Sequence, residues 1–183
     1  MTSDDLLGRY AALVRAWAPR LDLVSPRDLE RFEDRHVEDC LRATPLLDEI
    51  PEGPCIDIGS GAGLPGIPLA IVRPERAWTL LEPRRRRAAF LEEVVRELGL
   101  SCRVLAQSAE EAAADPDSAA AHVLATARAV AEPATVRVLA EPLLRAGGVV
   151  LVFTGRGSVL PEGAGEWEPG LTIMRKAASE GDA

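Results

Sequence analysis

The segment CIDIGSGAGLPGIP, residues 55–68, constrains this chain more than any other stretch. A short apolar run carrying one acid, Asp57, leads straight into glycines at alternate positions 59, 61 and 63. Cys55–Ile58 has the length and composition of a buried strand, and the glycines free the following backbone to take positive φ. Bare main chain at a strand end, with a helix opening behind it, lets a ligand lie directly against amide groups. The same residues also suit a plain tight strand-to-helix connection, so the turn has to be read with its neighbours.

Those neighbours set a rhythm. Apolar runs at Cys55–Ile58, Trp78–Leu81, Cys102–Leu105, Val123–Thr126 and Val149–Phe153 alternate with helix-like stretches. In Arg85–Leu98 the side chains of Ala88, Leu91, Val94, Val95 and Leu98 share one face, and Gly99 follows as a C-terminal cap. Another helix is expected from Pro133 to about Arg145. Strands alternating with helices of this length make right-handed βαβ crossovers. The expected fold is therefore α/β, a mostly parallel, doubly wound, Rossmann-like sheet over residues 51–176. Leu171–Arg175 is expected as a last strand, Gly155–Gly170 as loop and 177–183 as a flexible tail.

Residues 1–50 read instead as a helical N-terminal cap. Leu6, Tyr10, Leu13, Val14 and Trp17 form one apolar stripe, Thr2 with Asp5 makes a capping box, and Pro19 is expected to stop the helix. Ser25-Pro26 opens a second helix, and a third is expected over about Glu33–Asp48.

Composition narrows the function. A net charge of −8 argues against indiscriminate polyanion binding, DNA included, while leaving room for a local basic patch. Cys40, Cys55 and Cys102 are odd in number and hold no CxxC pair, which suits reduced thiols and no metal. The start MTSDDLLGRY has acids where a secretory signal has cations, and no apolar run approaches a membrane span. A monomeric cytoplasmic protein is expected.

Asp57 before the turn and Glu82 ending the second strand supply the chemistry that the glycines lack. An acid in the Glu82 position accepts hydrogen bonds from ribose hydroxyls. A dinucleotide turn wants G-x-G-x-x-G, but its third position here is Leu64, and no Walker lysine follows. The observed G-x-G-x-G resembles the first motif of S-adenosylmethionine-dependent methyltransferases.

DIGSGAGLPGIPLAI at 57–71 is similar, more narrowly, to the signature of the bacterial 16S rRNA guanine-N7 methyltransferases, also called glucose-inhibited division protein B. LDLVS at 21–25, RHVEDCL at 35–41, EPRRRRAAFLEEVVRELGL at 82–100, TARAVAEP at 126–133 and PLLRAGGVVLVFTG at 142–155 extend the resemblance over most of the chain. It implies a class I methyltransferase fold, S-adenosylmethionine as donor, S-adenosylhomocysteine as product, and a guanine of 16S rRNA in the 30S particle as acceptor. It also implies that Asp57, Gly59, Ser60, Gly61 and Gly63 line the cofactor, that Glu82 holds the ribose and that Ala109-Glu110 lie beside the adenine. His36, Asp39 and Arg128 would face the acceptor. The chain departs from the family pattern at Thr154, where a lysine is usual, at Ser108 and His122, and in a short C-terminal region.

Guanine N7 carries an in-plane lone pair, so its methylation needs alignment and electrostatics more than a general base. With only His36 and His122 in the chain, that is consistent, and it counts against Ser-His or Cys-His hydrolases. From the residues alone, His36 also reads as a helix-end structural residue and Arg128 as half of a salt bridge. Arg84, Arg85, Arg86 and Arg87 read equally as a patch for RNA phosphates or as a solvated first helical turn. Two other functions stay open: a paralogue methylating another RNA or a small molecule, and a catalytically silent cofactor-binding module. A nicotinamide oxidoreductase is the weakest contender.

Overall fold

The computed structural model describes residues 1–155 and 158–178; most of the expected tail, from 179 onward, lies outside them. The cap opens with α1 (Ser3–Leu21), whose Thr2–Asp5 capping box forms as expected. Pro19 does not end this helix. It sits in the last turn, where its missing N–H removes a single bond, and the stop is Asp22, left-handed at φ 49° with its amide on the Ala18 carbonyl. The short helix α2 (Pro26–Leu29) follows its Ser25 cap. The expected third helix is split into a π turn at Glu33–Val37, α3 (Glu38–Leu41) and α4 (Thr44–Glu49). Pro45, inside the first turn of α4, cannot continue the ladder from α3.

Beyond the cap come β1 (Cys55–Ile58), α5 (Gly66–Val72), β2 (Trp78–Leu81), α6 (Arg85–Leu98), β3 (Cys102–Leu105), α7 (Ala109–Ala113), β4 (His122–Arg128), α8 (Pro133–Ala140), β5 (Leu144–Phe153), β6 (Gly165–Glu168) and β7 (Leu171–Arg175). The seven-stranded sheet runs β3-β2-β1-β4-β5-β7-β6, parallel except at β7 and β6. Strand order reverses between β1 and β4, which opens a crevice at the carboxyl ends of those strands.

Two expectations shift. The helix from Pro133 ends at Ala140 because Pro142 lacks the next donor, and a 3-10 turn at Glu141–Leu143 hands over to a longer β5. The stretch read as loop contains β6, which pairs with β7 across a turn where Gly170 takes φ 85°. An edge strand spelled GEWE shows neither apolar alternation nor β-branched residues, so nothing in its sequence announces it.

Buried side chains of the cap, among them Tyr10, Val14, Phe32, Leu46 and Leu47, run into the same core as Ile67, Trp78, Phe90 and Leu91 on one sheet face. The other face packs Ile56, Ile58, Ala125, Val150 and Val152 against α7 and α8. Arg76 stitches cap to sheet. It is 7% exposed and donates to the Pro51 carbonyl at 3.0 Å, the Ile50 carbonyl at 3.2 Å and the Leu47 carbonyl, closing the C-terminal end of α4. Replacing Arg76 with methionine strands those carbonyls. The expected loss is about 3 kcal/mol, a fall in Tm of about 6–12 °C measured by thermal unfolding.

Candidate active site

Asp57 lies opposite Thr126 in the β1–β4 register and is completely buried. The Thr126 hydroxyl donates to its Oδ1 at 2.7 Å, and the Gly66 amide, at the start of α5, donates to its Oδ2 at 3.2 Å. Only glycine fits position 66, because a Cβ there would stand 2.5 Å from Leu80 Cδ2 and 2.9 Å from Asp57 Oδ2. Burial, outweighing those hydrogen bonds, pushes the Asp57 carboxyl up to about 6. Asp57 thus braces the turn from beneath and presents no open carboxylate to the crevice.

The turn above it is fully specified. Gly59, Gly61 and Gly63 take φ 66°, 56° and 100°. The Gly63 and Leu64 amides both donate to the Ser60 carbonyl, at 2.6 Å and 3.0 Å, and Ser60 itself donates through its amide to the Leu81 carbonyl at 2.8 Å. Glu82, 4% exposed, accepts from the Gly61 amide at 3.0 Å through Oε2 and from the Arg84 amide at 2.9 Å through Oε1. Each carboxylate oxygen has a second lone pair, so these bonds leave capacity for a diol. A Cβ on Gly61 would meet nothing nearer than the Gly59 carbonyl at 3.8 Å and Arg87 Nη1 at 3.9 Å, which leaves room for a ligand over bare backbone. Gly59 differs: Val130, from the loop after β4, lies 2.8 Å from where its Cβ would be.

Ala109 and Glu110 open α7 just past the end of β3, at the same end of the sheet, the first buried and the second exposed. Ser108 serves as the cap of that helix, taking the Glu111 amide at 3.2 Å while Glu111 takes the Ser108 amide at 2.8 Å. His122 is buried with Nδ1 3.1 Å from the Leu143 carbonyl, a structural position.

His36, Asp39 and Arg128 come together. Arg128, at the end of β4, donates through Nη1 to Asp39 Oδ2 at 2.8 Å and through Nη2 to His36 Nδ1 at 2.8 Å, and its guanidinium sits 5.8 Å from the centre of the Phe153 ring. A guanidinium only donates, so His36 Nδ1 accepts and the proton resides on Nε2. Burial first, then the Arg128 charge, lowers the His36 pKa and keeps the ring neutral. His36 Nε2 is buried without a hydrogen-bond partner among the described residues, with Asp28 Oδ1 3.8 Å away. The nearby Cys40 thiol is pushed up to about 12 by burial and is inert.

Arg84–Arg87 stand apart from that cluster, beside the glycine turn. With Arg20 and the end of α1 they line a cleft of about 520 Å³. Among the described residues none of these five arginines is ion-paired; Arg86 and Arg87 instead reach the Arg20 and Asp22 carbonyls.

Several working residues escaped the sequence reading. Tyr10, counted as a core residue, donates to the Ala62 carbonyl inside the turn at 2.8 Å; a hydroxyl within a core stripe was the available signal, since it must find an acceptor. Arg42 donates to Asp39 Oδ1 at 2.9 Å, Glu168 at 3.1 Å and the Pro169 carbonyl at 2.8 Å, joining the His36–Asp39–Arg128 cluster to the β6–β7 turn. Thr154, in the position of the family's lysine, lies 3.3 Å from the Thr172 hydroxyl.

Residues 4–160 match the family model described as rRNA small subunit methyltransferase G. Curated relatives of that description come from Acidiphilium cryptum (43% identical over 83% of this chain and 68% of the relative), Frankia casuarinae (41%, 80% and 55%) and Frankia alni (38%, 88% and 64%). The chain thus spans little more than half to two thirds of the length of these relatives. Among solved structures, a Corynebacterium glutamicum protein aligns with a TM-score of 0.63 over 94% of this chain and 92% of its own at 18% identity. A SAM-dependent O-methyltransferase from Thermotoga maritima aligns with a TM-score of 0.57 over 77% of this chain and 65% of its own at 16% identity. The shared architecture is the Rossmann-like class I fold.

The raised Asp57 pKa has a sign. Its neutral form is favoured in the folded state, so the stabilisation it gives is complete below about pH 4 and is lost as pH rises through about 6. The Asp57→Asn variant cannot ionise, and the Thr126 hydroxyl can turn to accept from its amide. Its Tm relative to the wild type is expected to rise by about 6–12 °C between pH 4 and pH 7, corresponding to about 3 kcal/mol. A difference in Tm that stays constant over that range refutes this account.

Proposed function

The chain belongs to the rRNA small subunit methyltransferase G family, and on that premise we propose that it transfers the methyl group of S-adenosylmethionine to N7 of a guanine in 16S rRNA of the small ribosomal subunit. The observation that carries this reading is the glycine turn: bare backbone with open space at Gly61, and the Glu82 carboxylate bonded to the Gly61 amide. These residues fit an adenosyl cofactor, with Glu82 toward the sugar hydroxyls, Gly59, Ser60, Gly61 and Gly63 along its length, and Ala109-Glu110 toward the base. Asp57 contributes by holding the turn in shape. When bound, the cofactor supplies an electrophilic methyl group on a sulfonium.

The acceptor needs no proton removed before attack, so this chain's residues have three tasks: to position, to desolvate and to match charge. Neutral His36 accepts from Arg128 through Nδ1, and Arg128 is held rigid by Asp39 and Phe153. The unpaired arginines of the basic cleft take RNA phosphates, which lets an acidic protein dock a polyanion locally. One observation favours a second reading, a cofactor-binding module without turnover: the position where the family carries a lysine holds Thr154, turned onto Thr172.

Calorimetry with S-adenosylhomocysteine and NAD, followed by radiolabelled methyl transfer to unmethylated 30S particles, separates these readings. The proposal expects S-adenosylhomocysteine binding and label in 16S rRNA; binding without label supports the silent module, and NAD binding alone removes both. Gly61→Arg fills the open space over the turn, so it is expected to abolish binding while the protein stays folded, the strain at φ 56° costing about 1–2 kcal/mol. The double variant Arg85→Ala, Arg86→Ala is expected to weaken RNA binding and to flatten the slope of log K against log salt by about 1.5.

A further inference from the structure

The turn is held from three sides, and one of them is the N-terminal cap. Asp57 braces it from the sheet through Gly66, and Glu82 holds it from β2 through Gly61. The third tie is Tyr10, on α1, whose hydroxyl is fully buried and donates to the Ala62 carbonyl at 2.8 Å. Burial raises the Tyr10 pKa well above the usual phenol value, so the hydroxyl remains a donor at any working pH.

The peptide between Ala62 and Gly63 is therefore fixed at both ends. Its carbonyl is taken by Tyr10 and its N–H by the Ser60 carbonyl at 2.6 Å. A peptide unit is planar, so two bonds on opposite edges fix its orientation about the chain. The Ala62 amide, one peptide earlier, has no acceptor among the described residues and takes its direction from this plane and from Gly61, anchored on Glu82. There is no slack on the cap side: a Cβ on Gly63 would stand 3.2 Å from the Tyr10 hydroxyl oxygen and 2.7 Å from Ile67 Cγ1. The Tyr10 ring is itself held edge-on by Phe32, 5.6 Å between centroids, and Phe32 lies 5.8 Å from His36. The same aromatic pair thus touches the cofactor turn and the residue that accepts from Arg128.

We infer that Tyr10 is a positioning residue for the cofactor: by fixing the Ala62 carbonyl it presets the main-chain amides of the turn, and it makes cofactor affinity depend on the docking of the N-terminal cap. The inference rests on the proposed function for the identity of the ligand. It adds that the cap, besides facing the acceptor, is part of the cofactor site.

Tyr10→Phe removes one oxygen and keeps the ring in its packing. The Kd for S-adenosylhomocysteine, measured by calorimetry, is expected to rise about tenfold. In methyl-transfer assays the cofactor KM should rise with it while kcat at saturating cofactor is retained, a split that a purely structural role would not produce. Unchanged Kd in a folded Tyr10→Phe protein overturns the inference while leaving the proposed function standing. A wild type that fails to bind S-adenosylhomocysteine removes both. If the variant does not fold, hydrogen exchange on the wild type decides: S-adenosylhomocysteine should slow exchange in peptides from α1, and slowing confined to the turn and β2 overturns the inference.

Discussion

Asp57 is buried at the point where strand order reverses, and the way its two oxygens are satisfied fixes much of the site. One oxygen takes the hydroxyl of its β4 neighbour, Thr126, and the other draws in the first amide of α5. The second bond requires a helix start pressed so close to the sheet that position 66 has no space for a Cβ. The chain between Ile58 and Gly66 must then double back over the strand ends, and the positive φ of Gly59, Gly61 and Gly63 makes that path possible. The carboxylate carries a desolvation cost at neutral pH, consistent with its raised pKa. Stability is thus given up in the place where the glycine turn is shaped.

The cap completes what the sheet begins. Its helices share a core with α5 and α6, and from that footing they send Tyr10 to the turn and His36 and Asp39 to Arg128. Arg128 shows why both layers are needed. It leaves β4 on the sheet, yet its guanidinium is held on one side by cap residues and on the other by the Phe153 ring of β5. Arg42 carries the connection further, from Asp39 to the β6–β7 turn, so the short C-terminal hairpin is tied to the same cluster.

What the sequence disclosed divides along the range of the interactions involved. Strands β1 to β3, helix α6 with its Gly99 stop, and the glycine turn were legible, because apolar runs, helical periodicity and glycine spacing are local signals. Helix ends were less so: Pro19 is absorbed in the last turn of α1, whereas Pro142 falls in the 3-10 turn just past the end of α8. Strand β6 was illegible because its partner, β7, supplies what its own residues lack. In the site, the resemblance named His36, Asp39 and Arg128, and the structure brings those three together. It could not announce Tyr10 on Ala62, or Arg42 on Glu168, because those bonds span 52 and 126 residues and leave no pattern in either segment.

Charge placement separates two jobs that one cationic surface could have combined. Arg128 at the end of β4 is neutralised at 2.8 Å by Asp39, and Thr154 supplies no cation after β5. The pair is partly buried, with Arg128 17% and Asp39 34% exposed, so salt screens it less than a fully exposed one. The arginines at the start of α6 are the reverse: exposed or half-buried, without ion-paired carboxylates among the described residues, and set against the helix dipole. Four adjacent cations there repel one another, and only Arg86 and Arg87 find carbonyl acceptors, on Arg20 and Asp22, among the described residues. Because Glu82 binds the Arg84 amide with one oxygen and the Gly61 amide with the other, one carboxylate ties the start of the basic cleft to the glycine turn.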